Sequence, residues 1–527
     1  MKSRRKRRAL WALALLAGLL LALLIEERLR GTLGLREWER EMRARGEPVT
    51  VDEVMAAIPT NLAARAVSSL AAQPLLSVGG APQDAPRGMS MVAAGKARVA
   101  WAQESWLDDQ RHTFTWQKLR PLFDYLHEPL ASARERLTNQ PFVVQLDYRA
   151  GFDGLLPHLT SAKSLAQALA AHSLLMVHER DFDTAQADLL ALAALVELQE
   201  EERFVICQLV RIACAQIAFA TLWDAIQSPG WNDAQLASLQ ASWERITLVR
   251  GMTAALQMER AVMLESSLRQ PATLKRLRQA LTFMPPVQGL GSDEETSGGL
   301  RKLWGGMLKP VFDKGDEIRQ TAFLVVWRFA WAAQDRLSAQ LRMHTLVEAG
   351  RSAVRAQLEQ AQAGPDSPAM SPRGSWRRRR PDRFLPAEQP LYDRLRYRFA
   401  MASVTSVERS LTKAVVADTF REMAITAIAL KRYQLRTGRL PADLQAIVPE
   451  FLGKAPIDWL ASRPLCYRLA ADEAFVLYSV GEDGVDDGGD PRPTEGPTNS
   501  VSVLRGRDLV WPMPATAAEI NAATLRR

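Results

Sequence analysis

Four aspartates, Asp483, Asp486, Asp487 and Asp490, fall within eight residues at the end of the run Tyr478–Asp490, interleaved with Gly481, Gly484, Gly488 and Gly489. Carboxylates at this density repel one another unless water or a hard cation such as calcium screens them, and the glycines let the backbone curl around an ion. The spacing is not that of an EF-hand, which requires D-x-[DN]-x-[DN]-G-x5-E. The same composition also suits an acidic turn with no metal, because aspartate and glycine are turn residues in their own right.

Other chemistry finds less support. The six histidines, His112, His127, His158, His172, His178 and His344, sit in no H-E-x-x-H or related spacing. His172 lies on an apolar helical face and reads as a core histidine with a polar partner. Ser410-Leu411-Thr412-Lys413 spells S-x-x-K, and Arg436-Thr437-Gly438 is similar to K-T-G, but a penicillin-binding enzyme needs the first at a helix start and the second on a strand. There is no Walker loop, no G-x-S-x-G and no G-x-G-x-x-G, so no catalytic or cofactor-binding residue is named. Cys207 and Cys214 are about 10 Å apart along a helix, too far for a disulfide, and with Cys466 they read as buried thiols.

The elements that must carry the acidic loop begin at a basic segment, residues 1–8, followed by an apolar run from Ala9 to Ile25 with no charge. At 1.5 Å per residue that run spans about 25 Å, the short end of a bilayer crossing. No small-x-small cleavage site follows it, so it reads as an uncleaved anchor with a cytoplasmic amino terminus and the bulk extracytoplasmic. The net charge is +8, of which Lys2, Arg4, Arg5, Lys6, Arg7 and Arg8 supply six, so the basic balance is a topology signal and no nucleic-acid partner is expected.

Residues 26–160 read as juxtamembrane helices and loops, with a helix over Leu35–Arg45, a short one over Asp52–Ile58 and a long loop from Gln73 to Gly95. Residues 161–362 read as a helical body. Leu165, Leu169, His172 and Met176, then Phe182, Ala185, Leu189, Leu192 and Val196, keep helical spacing on either side of a break at Asp181. Phe204–Ile226 is a third helix, and Asn232 or Asp233 caps a fourth. The first pair is similar to a tetratricopeptide unit, but the next begins about 40 residues later instead of 34 and lacks the consensus glycine. Apolar residues recur again in Asp316–Gln360. Residues 363–390 hold six prolines and the Arg377–Arg380 run, a linker.

The last stretch, 391–527, is a different unit. Val416, Phe420, Met423, Ala427 and Leu430 mark a long helix that Gly438 can end, Pro441 opens a short helix to Leu452, and Leu465–Leu469 with Ala474–Tyr478 form a hairpin. Ala424–Tyr433, Thr437-Gly438-Arg439-Leu440-Pro441, Leu444, Val448-Pro449, Pro456-Ile457-Asp458-Trp459, Leu465-Cys466-Tyr467 and Tyr478-Ser479-Val480-Gly481-Glu482-Asp483-Gly484 together resemble the carboxy-terminal half of the type II secretion major pseudopilin. Asp508-Leu509-Val510-Trp511 is similar to that family's closing D-I-x-x-W, one residue shorter. The resemblance implies a small α+β module whose acidic loop holds calcium, with Asp483, Asp486, Asp487, Asp490 and Asp508 as candidate oxygen ligands.

The match covers about 100 of 527 residues, and no prepilin site precedes the anchor, so what carries over is the module and not filament assembly. The whole chain also resembles large single-anchor envelope proteins of the bacterial inner membrane. The expectation is a mainly α protein with an N-terminal membrane anchor, a helical-hairpin body and a small C-terminal α+β pseudopilin-like domain. Its expected function is non-enzymatic binding or scaffolding of an envelope protein or peptide, with calcium in a structural role. The alternatives are a membrane-tethered metal-dependent hydrolase and a peptide-binding helical solenoid.

Overall fold

The computed structural model describes residues 2–58, 66–78, 100–102, 105–107, 113–139, 142–269, 320–362, 390–470, 474–492 and 507–512. The chain is mostly helical, as expected. Among the described residues its α-helices are, in order, α1 (Lys2–Ala44), α2 (Val51–Ala56), α3 (Ser69–Leu76), α4 (Trp116–Thr138), α5 (His158–Glu179), α6 (Phe182–Leu198), α7 (Val205–Ala225), α8 (Asp233–Glu244), α9 (Leu248–Arg269), α10 (Ala332–Gln362), α11 (Leu391–Arg396) and α12 (Arg398–Thr437). A π-helical stretch, Trp327–Trp331, leads into α10. Short strands β1 (Ala66–Ser68), β2 (Ser105–Leu107), β3 (Thr113–Thr115) and β4 (Val143–Gln145) precede α5, and β5 (Ile457–Asp458), β6 (Arg463–Pro464), β7 (Cys466–Leu469), β8 (Phe475–Ser479) and β9 (Leu509–Val510) follow α12.

Local sequence accounts for most helix ends. Thr50 closes a capping box with Glu53 before α2, and Asn232 closes another with Gln235 before α8. Arg180 adopts the left-handed conformation that ends α5, and the Asp181 side chain then caps α6, which is the break expected there. Gly438, at φ 76°, ends α12. Two helices lie where sequence periodicity gave no signal or a contrary one. Pro121 and Pro129 sit inside α4 and disguise its apolar stripe of Leu119, Phe123, Leu126, Leu130 and Leu137. Pro74 sits inside α3, where a loop is expected from Gln73; the remainder of that loop lies largely outside the described residues.

The chain divides into two compact units, each built from separate segments: 1–57, 257–346 and 380–409 in the first, and 58–256, 347–379 and 410–527 in the second. In the first, Leu35, Trp38 and Met42 of α1 pack with Val49 and Leu264. The buried Arg260 guanidinium donates to the Pro48 carbonyl and meets Nδ1 of His344. Gln334 donates to the Glu27 carboxylate, which also pairs with Arg396 at 3.2 Å. Gly31 allows this approach, since a Cβ there would lie 2.5 Å from Cγ of Gln334.

The second unit is centred on α5, α6 and α7, whose facing residues are fully buried. Among the described residues α7 is long and apolar enough to cross a membrane, but 72% of its most apolar window is buried in the protein, which makes it a core helix. Gly230 lets the α7–α8 turn close on Phe182, whose ring would lie 2.0 Å from an added Cβ. The α8–α9 junction is held by α12, and Ser410 and Lys413 are interior residues of α12, so the S-x-x-K tetrad is not at a helix start. Beyond α12, β7 and β8 pair antiparallel from Cys466 opposite Tyr478 to Leu469 opposite Phe475, and β9 adds to β8 through Ser479 opposite Leu509.

Candidate metal centre

The acidic loop leaves β8 at Gly481, whose φ of +64° puts the position of a Cβ 2.3 Å from the Arg507 carbonyl, so a side chain is excluded there. The loop returns along the chain that enters β9. The Arg507 and Asp508 amides donate to the Arg492 and Asp490 carbonyls at 3.1 and 2.9 Å. This stem brings together residues that the sequence separates by about twenty positions.

Asp508 is the centre of the arrangement. It is 3% exposed, and its Oδ2 accepts from the amides of Gly489 at 2.7 Å and Asp490 at 3.2 Å. Its Oδ1 is buried with no hydrogen-bond partner. Burial pushes its carboxyl above the ordinary range, and the charge of Asp486 acts in the same direction, while the amides of Gly489, Asp487 and Asp490 oppose them. A carboxylate held this way by amides, with one oxygen left over in a desolvated niche, is a chemically suitable place for a cation.

The other four aspartates differ in what they can offer. Asp486 accepts from the Tyr478 hydroxyl and the Gly488 amide, each at 3.0 Å, and its second oxygen is 3.8 Å from Arg463. Burial, and then the bond to Asp486, push the Tyr478 phenol up. Asp487 is exposed and its amide faces Asp508. Asp483 is exposed and accepts from the Val485 amide two residues on, a local turn bond, with no described contact to Asp508. Both Asp490 oxygens are held by the Arg492 guanidinium, with Arg507 at 3.6 Å. The Arg492 hydrogen bond holds the Asp490 carboxyl down at about 2. Among the described residues no three of these aspartates bring carboxylate oxygens within 4.8 Å of one another; Asp508 keeps one spare oxygen for a cation, whereas the counter-charge of Asp490 is already supplied by arginine.

Asp458 lies in β5. It is fully buried, its Oδ1 accepts from the Leu460 and Ala461 amides, and burial raises its carboxyl against the pull of the Ser479 hydroxyl and these amides. His172 is a core histidine with a carboxylate partner, as expected: its Nδ1 is 2.6 Å from Asp188, whose other oxygen takes Arg134 at 2.8 Å. It borders a cleft of about 420 Å³ lined by Phe123, Glu128, Glu179 and Thr184 among others.

A second group, which no sequence motif marks, is formed by His158, Glu202 and Cys207, whose ligand atoms all lie within 4.8 Å of one another. His158 is distant in sequence from the other two, and no short motif joins the three. No protein-family model matches this chain, and neither a curated protein nor a solved structure matches it.

Proposed function

We propose that this protein is a bitopic bacterial envelope protein, anchored in the inner membrane by the first half of α1, whose extracytoplasmic part binds or scaffolds an envelope protein or peptide. The amino terminus is cytoplasmic in this reading, and the chain is not an enzyme. The observation that carries it is the change of character along α1. Leu15, Leu16, Leu19 and Leu20 are 68%, 69%, 62% and 57% exposed, whereas Glu27, Leu35, Trp38 and Met42 on the same helix are buried. Apolar surface left uncovered disfavours a helix in water by about 25 cal/mol per Å², and a bilayer is the solvent that removes this penalty.

The expected result is that the full chain stays with membranes through alkaline carbonate extraction. The double substitution Leu16→Arg/Leu20→Arg releases it, since each central charge opposes insertion by about 2.5–3.5 kcal/mol. Recovery of the unsubstituted chain in the soluble fraction would overturn the anchor.

The same reading takes the segment after α12 as a pseudopilin-like module in which calcium bound at Asp508, with Asp486 and Asp487, locks the acidic loop. A cation there would satisfy the buried Asp508 Oδ1 and relieve the repulsion from Asp486. Bound only by the folded state, it adds about 2.7 kcal/mol at a hundredfold excess over its Kd. Thermal unfolding of the detergent-solubilised full chain, with calcium and with a calcium-selective chelator, reads this increment. Asp508→Asn removes it, and Asp490→Asn keeps most of it, because Asp490 is held by arginines. Identical unfolding with and without calcium would reduce the loop to an acidic turn closed by Asp508 alone.

A further inference from the structure

Three donors of mixed chemistry converge where α5 and α7 begin. His158 is the first residue of α5, Glu202 lies in the turn before α7, and Cys207 is in the first turn of α7. All three are fully buried. His158 Nε2 is 3.0 Å from one Glu202 oxygen, yet His158 Nδ1 and Glu202 Oε1 are both buried with no hydrogen-bond partner. The pair alone leaves Glu202 Oε1 desolvated and unmatched, at a cost of about 1–3 kcal/mol that a cation between Nε2 and the carboxylate would relieve, with the imidazole proton then carried on Nδ1. The turn is also rigidly held. Gln208 Nε2 donates to the Gln199 and Glu202 carbonyls at 2.9 and 2.7 Å, and the Arg203 amide donates to the Tyr148 hydroxyl at 2.8 Å.

We propose that His158, Glu202 and Cys207 form a structural site for a divalent transition metal of the zinc class in the core of the helical body. The donor set decides the metal. Calcium and magnesium take oxygen ligands, whereas one imidazole nitrogen, one carboxylate oxygen and one thiolate are a zinc set. Bond lengths of about 2.0–2.3 Å place tetrahedral ligands roughly 3.4–3.7 Å apart, so the 3.0 Å His158–Glu202 pair opens to admit the ion and the wider separations, at most 4.8 Å, close. Cys207 gives up its thiol proton to solvent as the metal–sulfur bond forms. Three protein ligands leave the fourth tetrahedral position to a water molecule, and with every protein ligand buried the ion pins the start of α5 to the start of α7. It is independent of the acidic loop, which presents oxygen atoms alone.

The test uses the purified full chain in detergent, equilibrated with buffered zinc and desalted, with the metal measured by elemental analysis. The expected result is about one zinc per chain in the unsubstituted protein and in Cys214→Ser, a buried cysteine two turns further along α7. Cys207→Ser and His158→Ala lose it. Because those variants can also fail to fold, the unsubstituted chain is separately loaded with cobalt(II), which must show tetrahedral absorption together with a thiolate-to-cobalt charge-transfer band. Folded protein that retains no stoichiometric zinc, or cobalt-loaded protein with no thiolate band, overturns the proposal. Equal zinc retention by folded Cys207→Ser overturns it as well.

Discussion

Replacing Asp418 by alanine will destabilise the second unit by about 3–5 kcal/mol, a large part of the 5–15 kcal/mol that holds a typical domain together. Asp418 is fully buried on α12, and its carboxylate accepts from the Leu248 amide at 3.0 Å and the Val249 amide at 2.8 Å, the first two amides of α9. It thus serves as an N-cap supplied from a distant part of the chain, with its charge at the positive end of the α9 dipole. Arg421 completes the clasp: its Nε meets Asp418 at 2.9 Å, and its Nη1 donates to the Trp243 carbonyl at the end of α8. From the other side Arg211, also fully buried, donates to the Thr247 carbonyl, and burial lowers its guanidinium below the ordinary range.

Alanine at 418 leaves two helix-start amides unmatched and Arg421 with a buried, less compensated charge. Urea unfolding of the full chain measures the loss, and Asp418→Asn should recover part of it, since one oxygen can still accept the α9 amides. A midpoint for Asp418→Ala within error of the unsubstituted chain would show that the clasp contributes nothing net.

The second large effect is a pH dependence in the first unit. Asp335 is 2% exposed and accepts from the Ala400 amide at 3.0 Å. Burial pushes its carboxyl from 3.8 up to about 7, against the pull of the Ala400 and Phe399 amides and of the Arg342 charge. A carboxyl whose folded pKa is raised holds its proton more tightly when folded. Its contribution to stability is therefore complete below pH ~4, declines as pH rises, and is gone above pH ~7. The full effect is about 4 kcal/mol, of which about 2–3 kcal/mol falls between pH 5 and pH 8.

Carboxyls with lowered values, such as Asp233 beside Arg432 and Glu53 at the start of α2, act in the opposite direction but lose their effect at more acid pH. The comparison to make is thus between the unsubstituted chain and Asp335→Asn over pH 5–8. The asparagine variant should gain on the unsubstituted chain as pH rises. Parallel profiles would mean that Asp335 is ionised throughout this range.

The secondary structure was legible wherever its cause is local. The α5–α6 break is written in Asp181, the start of α8 in Asn232 and Gln235, and the end of α12 in Gly438. Each is decided within four or five residues by a cap or a left-handed turn. α4 escaped notice for an equally local reason, because two prolines mask its stripe. The seventeen uncharged residues of the first helix and the crowded aspartates of the loop were likewise plain in composition alone.

The environment of each charged group was decided by tertiary structure. Nothing in the order of residues distinguishes Asp490, neutralised by Arg492 and Arg507, from Asp508, which is closed over by backbone amides with one oxygen to spare. Asp418 caps a helix 170 positions away, and His158 meets Glu202 across 44. Local spacing determines where helices and turns form, because backbone conformation is set by near neighbours. The chemistry of a carboxylate or imidazole depends on desolvation and on partners brought from elsewhere, and these exist only once the helices have packed.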